Sequence, residues 1–140
     1  MPKPRRTRSE AQRRGKREQC RIYQARMRDP YTGRKLTWRR DGYRIQVDHV
    51  YPLSRAWYAG AWAWTQQKRV RFANDVDHEL VATWGATNQA KENSTPSEWL
   101  PPREAYHCRY VLTYLEVAVR YGLSVTDADV ATMQDVASGC

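Results

Sequence analysis

Asp48 and His49 stand side by side where an alternating apolar run, Tyr43, Ile45 and Val47, gives out, and Pro52 closes the segment. An acid beside an imidazole at a strand end lets both side chains project into one cleft. There a neutral imidazole can take a proton from water, and a carboxylate can hold a hard cation. Phosphodiester hydrolysis needs both functions: a base for the attacking water, and a cation for the charge that builds on the phosphate and the leaving oxygen. Mg2+ takes oxygen ligands, keeps several waters and often uses only one or two protein side chains, so Asp48 plus one more donor suffices. Asn88, Asn93, Asp75, Asp77 and Glu79 are the candidates for that second donor. Alone the dipeptide is a weak signal, because Asp-His pairs also occur in surface loops. His107 lies in a tyrosine-rich stretch and reads as a structural residue.

The elements around the pair read as strand, turn, strand. Asp29-Pro30 and Thr32-Gly33 are turn formers, and Lys35 to Trp38 and Tyr43 to Val47 carry strand residues on either side of a hairpin-type turn at Asp41-Gly42. Residues 54–72 then switch to helical character, with Trp57, Ala61 and Trp64 on one side and Gly60 as a weak point, so one interrupted helix or two short ones is expected. Trp57 and Trp64 read as core residues rather than base-stacking ones. Residues 80–83, "LVAT", suit a buried strand, and Ser94 to Pro96 offers a cap and a proline near a helix start. Tyr106, Tyr110, Tyr114, Val117, Ala118 and Tyr121 recur at helical spacing, which predicts a helix over 104–121 ending at Gly122. Thr126 opens a last helix to about Ala137, with Asp127 and Asp129 at its positive end.

The chain has 140 residues, enough for one domain with a modest core, and a formal net charge of +9. Residues 1–19 hold eight Lys or Arg against two Glu and almost nothing apolar, so they read as a disordered basic arm ahead of a domain at 20–140. Arg5, Arg6, Arg8, Arg13, Arg14, Lys16 and Arg17 are its phosphate-binding candidates, a polyanion being the natural partner of such an arm. The bland alternative is a solubilising tail. No run approaches the roughly 20 apolar residues that cross a bilayer, and no apolar secretory segment is evident, which leads to the expectation of a soluble, cytoplasmic protein without membrane contacts. Cys20, Cys108 and Cys140 form no C-x-x-C pair, so a structural zinc site is not indicated, and any metal should have oxygen or nitrogen ligands.

The order of several segments is more specific than any one of them. "VDHVYPLS" followed by "NQAKENS", with "DPYTG" upstream and "EWLPP" and "AYHCRY" downstream, resembles the HNH endonucleases, in the branch of the GmrSD C-terminal-domain or DUF1524 type. The resemblance covers roughly residues 20–140. It implies an α+β fold with a ββα-metal (HNH, or His-Me finger) core, a helical insertion from Arg55 to Phe72 between the core strands, and additional C-terminal helices. It implies Asp48 as a metal ligand, His49 as the general base, Asn88 as the second ligand, and Lys91 of the N-x-x-K pattern as a phosphate contact. At the family's middle Asn, whose carbonyl orients the base, this chain has Glu79 with His78 beside it, and either can be read as a substitute. The resemblance also implies a Cys108–Cys140 disulfide, although in a reducing cytoplasm all three cysteines would stay thiols.

The sequence therefore reads as a DNA endonuclease using one divalent ion, most simply Mg2+, with Mn2+, Zn2+ or Ni2+ as alternatives. Arg39, Arg40 and the arm would add phosphate contacts with little sequence discrimination. One site implies a nick as the first product, and a homodimer or a phage or host protein partner is left open. A phage or mobile-element origin, in a bacterial host cell, would suit a small nuclease without a signal. The rivals are an inactive nucleic-acid-binding module in which Glu79 spoiled the site, and a nuclease of the same type acting on RNA.

Overall fold

The computed structural model describes residues 25–41 and 44–140, with the side chains of Arg39 and Arg40 outside that description. The seven basic candidates of the arm, Cys20 and Tyr43 also lie outside the described residues. A short antiparallel pair comes first, β1 (Arg26–Arg28) and β2 (Lys35–Thr37), with Arg26 opposite Thr37. Asp29 shapes the turn between them. Its N–H donates to the Arg34 carbonyl and its own carbonyl accepts from Gly33 N–H, both at 2.8 Å, while its carboxylate accepts from Tyr31 N–H at 3.2 Å.

The expected hairpin of residues 35–38 against 43–47 does not form. Trp38–Asp41 closes into a helical turn, α1, whose entrance is held by Thr37 N–H donating to the Asp41 carboxylate at 3.0 Å. The next strand, β3 (Ile45–His49), pairs instead with β4 (Leu80–Trp84), antiparallel, with His49 opposite Leu80 and Ile45 opposite Trp84. The turn signal at Asp41-Gly42 was local, and a distant strand supplied the better partner.

Between β3 and β4 the chain makes α2 (Leu53–Tyr58), a 3-10 turn at Ala61–Ala63, and α3 (Gln66–Ala73). Gly60, at φ 136°, makes the break, a conformation that residues with a side chain rarely adopt. Thr65 starts α3 by accepting from Lys68 N–H at 3.2 Å. The break also decides the fate of the two tryptophans. Trp64 packs against Phe72 and Tyr121, with ring centroids 5.6 and 5.8 Å away, whereas Trp57 is 47 % exposed and is not the core residue its spacing implied. Residues 57 and 64 would share a face only on one continuous helix.

Helix α4 (Gly85–Lys91) leaves β4 without a loop. Glycine is needed at its first position, because a Cβ there would lie 2.8 Å from the Arg44 carbonyl oxygen and 3.1 Å from the Gln46 side chain. That close approach seats α4 against β3. The helix expected after Ser94–Pro96 is a turn, held by Thr95 N–H donating to Glu98 and Ser97 N–H to Asp129, both at 2.9 Å.

A 3-10 turn at Glu104–Tyr106 leads into α5 (His107–Tyr121), and α6 (Asp127–Ser138) follows with Thr126 as its cap, accepting from Asp129 N–H. Tyr110, Tyr114, Val117 and Ala118 of α5 are buried and meet Tyr31 and Tyr51 from the other half of the chain. Tyr51 stacks on Tyr114 at 4.6 Å, and Tyr31 meets Tyr110 edge-on at 5.6 Å. Cys108 and Cys140 are disulfide-bonded across a separation of 32 residues, a loop whose closure contributes about 3–4 kcal/mol. The architecture is α+β, with small antiparallel sheets and helices that pack on them. Among the described residues no helix is long and apolar enough to cross a membrane.

Candidate active site

Successive side chains of a strand point to opposite faces. In β3, Val47 is 56 % exposed and Asp48 only 4 %, so the face that holds Val47 looks outward and the polar one looks in. The inner face continues through Gln46, beside fully buried Thr83 on β4. Thr83 donates its hydroxyl to Asp29 at 2.6 Å, which docks the first turn onto this face.

The same turn brings Tyr31 to Asp48. Its hydroxyl donates to Asp48 Oδ2 at 2.5 Å, and Lys91 Nζ donates to Oδ1 at 2.9 Å and to the His49 carbonyl at 2.8 Å. Lys91 is fully buried. It reaches this place because residues 88 and 91 share one face of α4. Asn88, a turn earlier, donates its amide to Gln46 Oε1 at 3.0 Å, two residues before Asp48 on the same strand face. Burial pushes the Asp48 carboxyl up, against the pull of Lys91 and Tyr31. Burial and the neighbouring Asp48 push the Tyr31 phenol far above its ordinary range, so Tyr31 remains a donor.

His49 is half-buried, and its Nε2 lies 2.9 Å from the carbonyl oxygen of Ala73, the last residue of α3. A carbonyl can only accept, so in the neutral ring this contact places the proton on Nε2 and leaves the lone pair on Nδ1. Helix α3 thereby sets the tautomer of the candidate base, the same device by which a carbonyl or carboxylate orients a working imidazole.

Glu79 and His78 make other contacts. The fully buried Glu79 carboxyl accepts from Tyr51 N–H at 3.0 and 3.2 Å, and its backbone carbonyl accepts from Val50 N–H at 3.0 Å. Continuing the strand register one step past His49 and Leu80 puts Glu79 beside the backbone that follows the base, rather than on the imidazole. Burial pushes its carboxyl up to about 9, so it is uncharged at neutral pH. His78 Nδ1 pairs with Asp75 at 3.0 Å, and Asp75 also accepts from Tyr121 at 2.6 Å. His107 Nε2 donates to the Pro101 carbonyl at 2.7 Å, the structural role expected of it.

Among the described residues no three His, Cys, Asp or Glu side chains converge on one point. The donors that could serve a cation at this face are the Asp48 carboxylate and the Asn88 amide oxygen. Both are hard oxygen donors, which suits an ion such as Mg2+ that keeps most of its waters. Lys91 already shares the carboxylate, and a cation would have to share it too. Expected to hold a phosphate, the Lys91 ammonium faces Asp48 and not solvent. Two contributors escaped the sequence reading. Tyr31 belongs to the quoted "DPYTG", yet nothing in a turn tyrosine announces a buried donor, and the Ala73 carbonyl is backbone and has no sequence signature.

The model of the family described as GmrSD restriction endonucleases, C-terminal domain, matches residues 5–136. An uncharacterized secreted protein of Arthroderma benhamiae is 38 % identical over 112 residues, which cover 79 % of this chain and 53 % of that protein. The chain thus spans about half the length of this curated relative. No solved structure matches it. A family model that takes in almost the whole chain, together with the ordered set of motifs built around Asp48, shows that this protein belongs to the GmrSD restriction-endonuclease C-terminal-domain family.

Proposed function

We propose that the chain is a metal-dependent DNA endonuclease with a ββα-metal core made by β3, β4 and α4. In it His49 is the general base, and Asp48 and Asn88 hold one divalent ion. The observation that carries this reading is the His49 ring, fixed through Nε2 on the Ala73 carbonyl so that Nδ1 is free to take a proton from water. It follows Asp48 directly at the end of β3: the Asp48 carboxylate lies on the strand face that Asn88 approaches, and the imidazole leaves the strand end on the other side, toward α3.

Each neighbour then has a positioning task. Tyr31 and Lys91 hold the two oxygens of Asp48 in one rotamer, and uncharged Glu79 pins the backbone that follows His49. A divalent ion, when bound, offsets the charge on the phosphate and the departing 3' oxygen. The basic arm with Arg39 and Arg40 supplies phosphate contacts, whose affinity falls with salt and which discriminate little between sequences. One site of this kind cuts one strand per event, so the first product is a nick.

A second reading has one observation in its favour. The Lys91 ammonium gives Asp48 a counter-charge from within the protein, as a binding module that never takes up metal would need. Supercoiled-plasmid cleavage separates the two. With Mg2+ or Mn2+ the wild type nicks, and EDTA or His49→Ala abolishes nicking, a loss of at least a hundredfold for a general base. Retarded but intact plasmid with every ion leaves the binding module standing. Comparing duplex DNA, single strands and RNA tests whether DNA is the substrate.

The Cys108–Cys140 bond lasts in oxidising compartments and opens in a reducing cytoplasm, so a cytoplasmic protein would lack its contribution.

A further inference from the structure

The insertion between β3 and β4 exposes more aromatic surface than a helix pair needs. Trp57 and Trp62 are 47 % and 63 % exposed, and Tyr58 is 85 % exposed. Tryptophan is ordinarily well buried, and neighbouring exposed aromatics mark an interaction surface. Trp64, in the same insertion, packs into the core against Phe72 and Tyr121, so its rings are not outside for want of an interior.

Within the insertion's own sequence the charge has one sign, and of its cations Arg55 is paired outside it with Glu98 at 2.9 Å. Residues 50–73 contain Arg55, Lys68, Arg69 and Arg71 and no Asp or Glu. Arg69 joins the two tryptophan-bearing segments: its guanidinium lies 5.5 Å from the Trp57 ring, and its Nη1 donates to the Trp64 carbonyl at 2.9 Å and reaches the Ala61 and Trp62 carbonyls at 3.4 Å. Arg71 is exposed. The surface is therefore braced from within. It is also tied to the candidate base, because the insertion starts just after His49 and its last helical residue, Ala73, accepts from the His49 ring.

Planar rings in a cationic setting match one polymer best. Unpaired bases stack on indoles without regard to sequence, and the phosphates between them answer the Lys and Arg charges. An intact duplex keeps its bases stacked on one another and offers the rings little. We propose that Trp57 and Trp62 form a stacking platform for unpaired bases beside the scissile phosphate, so that the preferred substrate is single-stranded or locally unpaired nucleic acid. This rests on the nuclease reading and names the substrate class for it.

The test measures binding and cutting separately, on the full chain. Fluorescence anisotropy in EDTA, where nothing is cut, compares a labelled 20-nucleotide single strand with the same strand in a duplex. Trp57→Ala and Trp62→Ala should each weaken single-strand binding about tenfold or more, the range of one lost base stack. Duplex binding should change less than about threefold, since phosphates carry it. Trp57→Phe and Trp62→Phe should recover most of the loss, and Val119→Ala, at an exposed apolar position on α5, should have no effect. Far-UV circular dichroism identifies any variant that fails to fold, and where an alanine variant does, Trp57→Leu or Trp62→Leu, which keeps apolar bulk without a ring, decides instead: about tenfold weaker strand binding supports the platform and unchanged binding overturns it.

Unchanged single-strand affinity in folded alanine variants overturns the platform. So does an unchanged strand affinity accompanied by weaker binding to phosphatidylserine vesicles, which would make the surface a lipid contact. Wild-type plasmid nicking is scored alongside. Nicking with tryptophan-independent strand binding sinks the platform and leaves the nuclease, whereas tryptophan-dependent strand binding without nicking supports the platform and removes the nuclease.

Discussion

The inner face of the β3–β4 pair buries Asp48 and Thr83, with Gln46 and Val81 part-buried beside them, while its outer face presents Val47 opposite Ala82 to solvent. An ordinary half-buried antiparallel sheet does the reverse, keeping its apolar side in and its polar side out. The inversion is tolerable because the inner groups are satisfied: Asp48 has Lys91 and Tyr31, and Thr83 has Asp29. Burying a charge is costly unless it is paired and hydrogen-bonded, so a polar inner face adds little net stability and makes each member depend on the others. What the arrangement gives is a carboxylate held in a fixed orientation next to an imidazole.

Breaking that dependence should have the largest effect. Lys91→Met leaves Asp48 buried with no cation in contact, and is expected to cost about 3–5 kcal/mol of stability in urea denaturation. Asp48→Asn with Lys91→Met should cost less than the sum of the two single changes by more than about 1 kcal/mol, because removing the pair removes the desolvation as well. If Lys91→Met costs under about 1 kcal/mol, the ion pair is not what sustains the inner face, and the contrast with the outer face fails.

Glu79 sharpens the contrast through pH. Asp48 has a cation in contact with it, whereas among the described residues the Glu79 carboxyl accepts from the Tyr51 backbone N–H and feels Lys91 without contact, and burial raises it from the ordinary 4.5 to about 9. A group raised in the folded state contributes stability that is whole below the unfolded value and is lost as pH climbs toward the folded one. Between about 4.5 and 9 the loss should run at up to about 1.4 kcal/mol per pH unit. Glu79→Gln keeps an acceptor for Tyr51 N–H and removes the proton, so its stability should fall less between pH 5 and 8.5 than that of the wild type. Parallel curves would mean that Glu79 is already ionised in the folded protein.

How much of this the sequence carried depended on how local the signal was. The α5 stripe of Tyr110, Tyr114 and Val117, its stop at Gly122 and the Thr126 cap of α6 all read correctly, because caps and helical spacing act within a few residues. The break at Gly60 read correctly for the same reason. The pairing of β3 did not, since its partner is β4, far along the chain, while the nearer Asp41-Gly42 turn looked sufficient. The buried face of β3 was hidden for another reason: a polar residue aimed at a buried lysine has the same sequence pattern as one aimed at water. Asp48 and His49 were singled out as an acid–imidazole pair at a strand end and Asn88 by motif order, and the structure puts Asn88 on Gln46, two residues before Asp48. Tyr31 and the Ala73 carbonyl came only with three-dimensional contacts, and the expectation that Glu79 or His78 contacts the imidazole gave way to the register that puts Glu79 on Tyr51 N–H.

The smallest effect belongs to the outer face, and it tests the other half of the contrast. Val47 lies opposite Ala82, and both are exposed, so Val47→Thr exchanges a methyl for a hydroxyl that water can solvate, with β-branching and strand propensity kept. The change should alter stability by no more than about 0.5 kcal/mol, the range of surface substitutions that touch no special feature. The same denaturation series that reads Lys91→Met reads this variant. A cost above about 1.5 kcal/mol would mean that the outer face carries packing energy of its own, and the β3–β4 pair would then owe its stability to both faces.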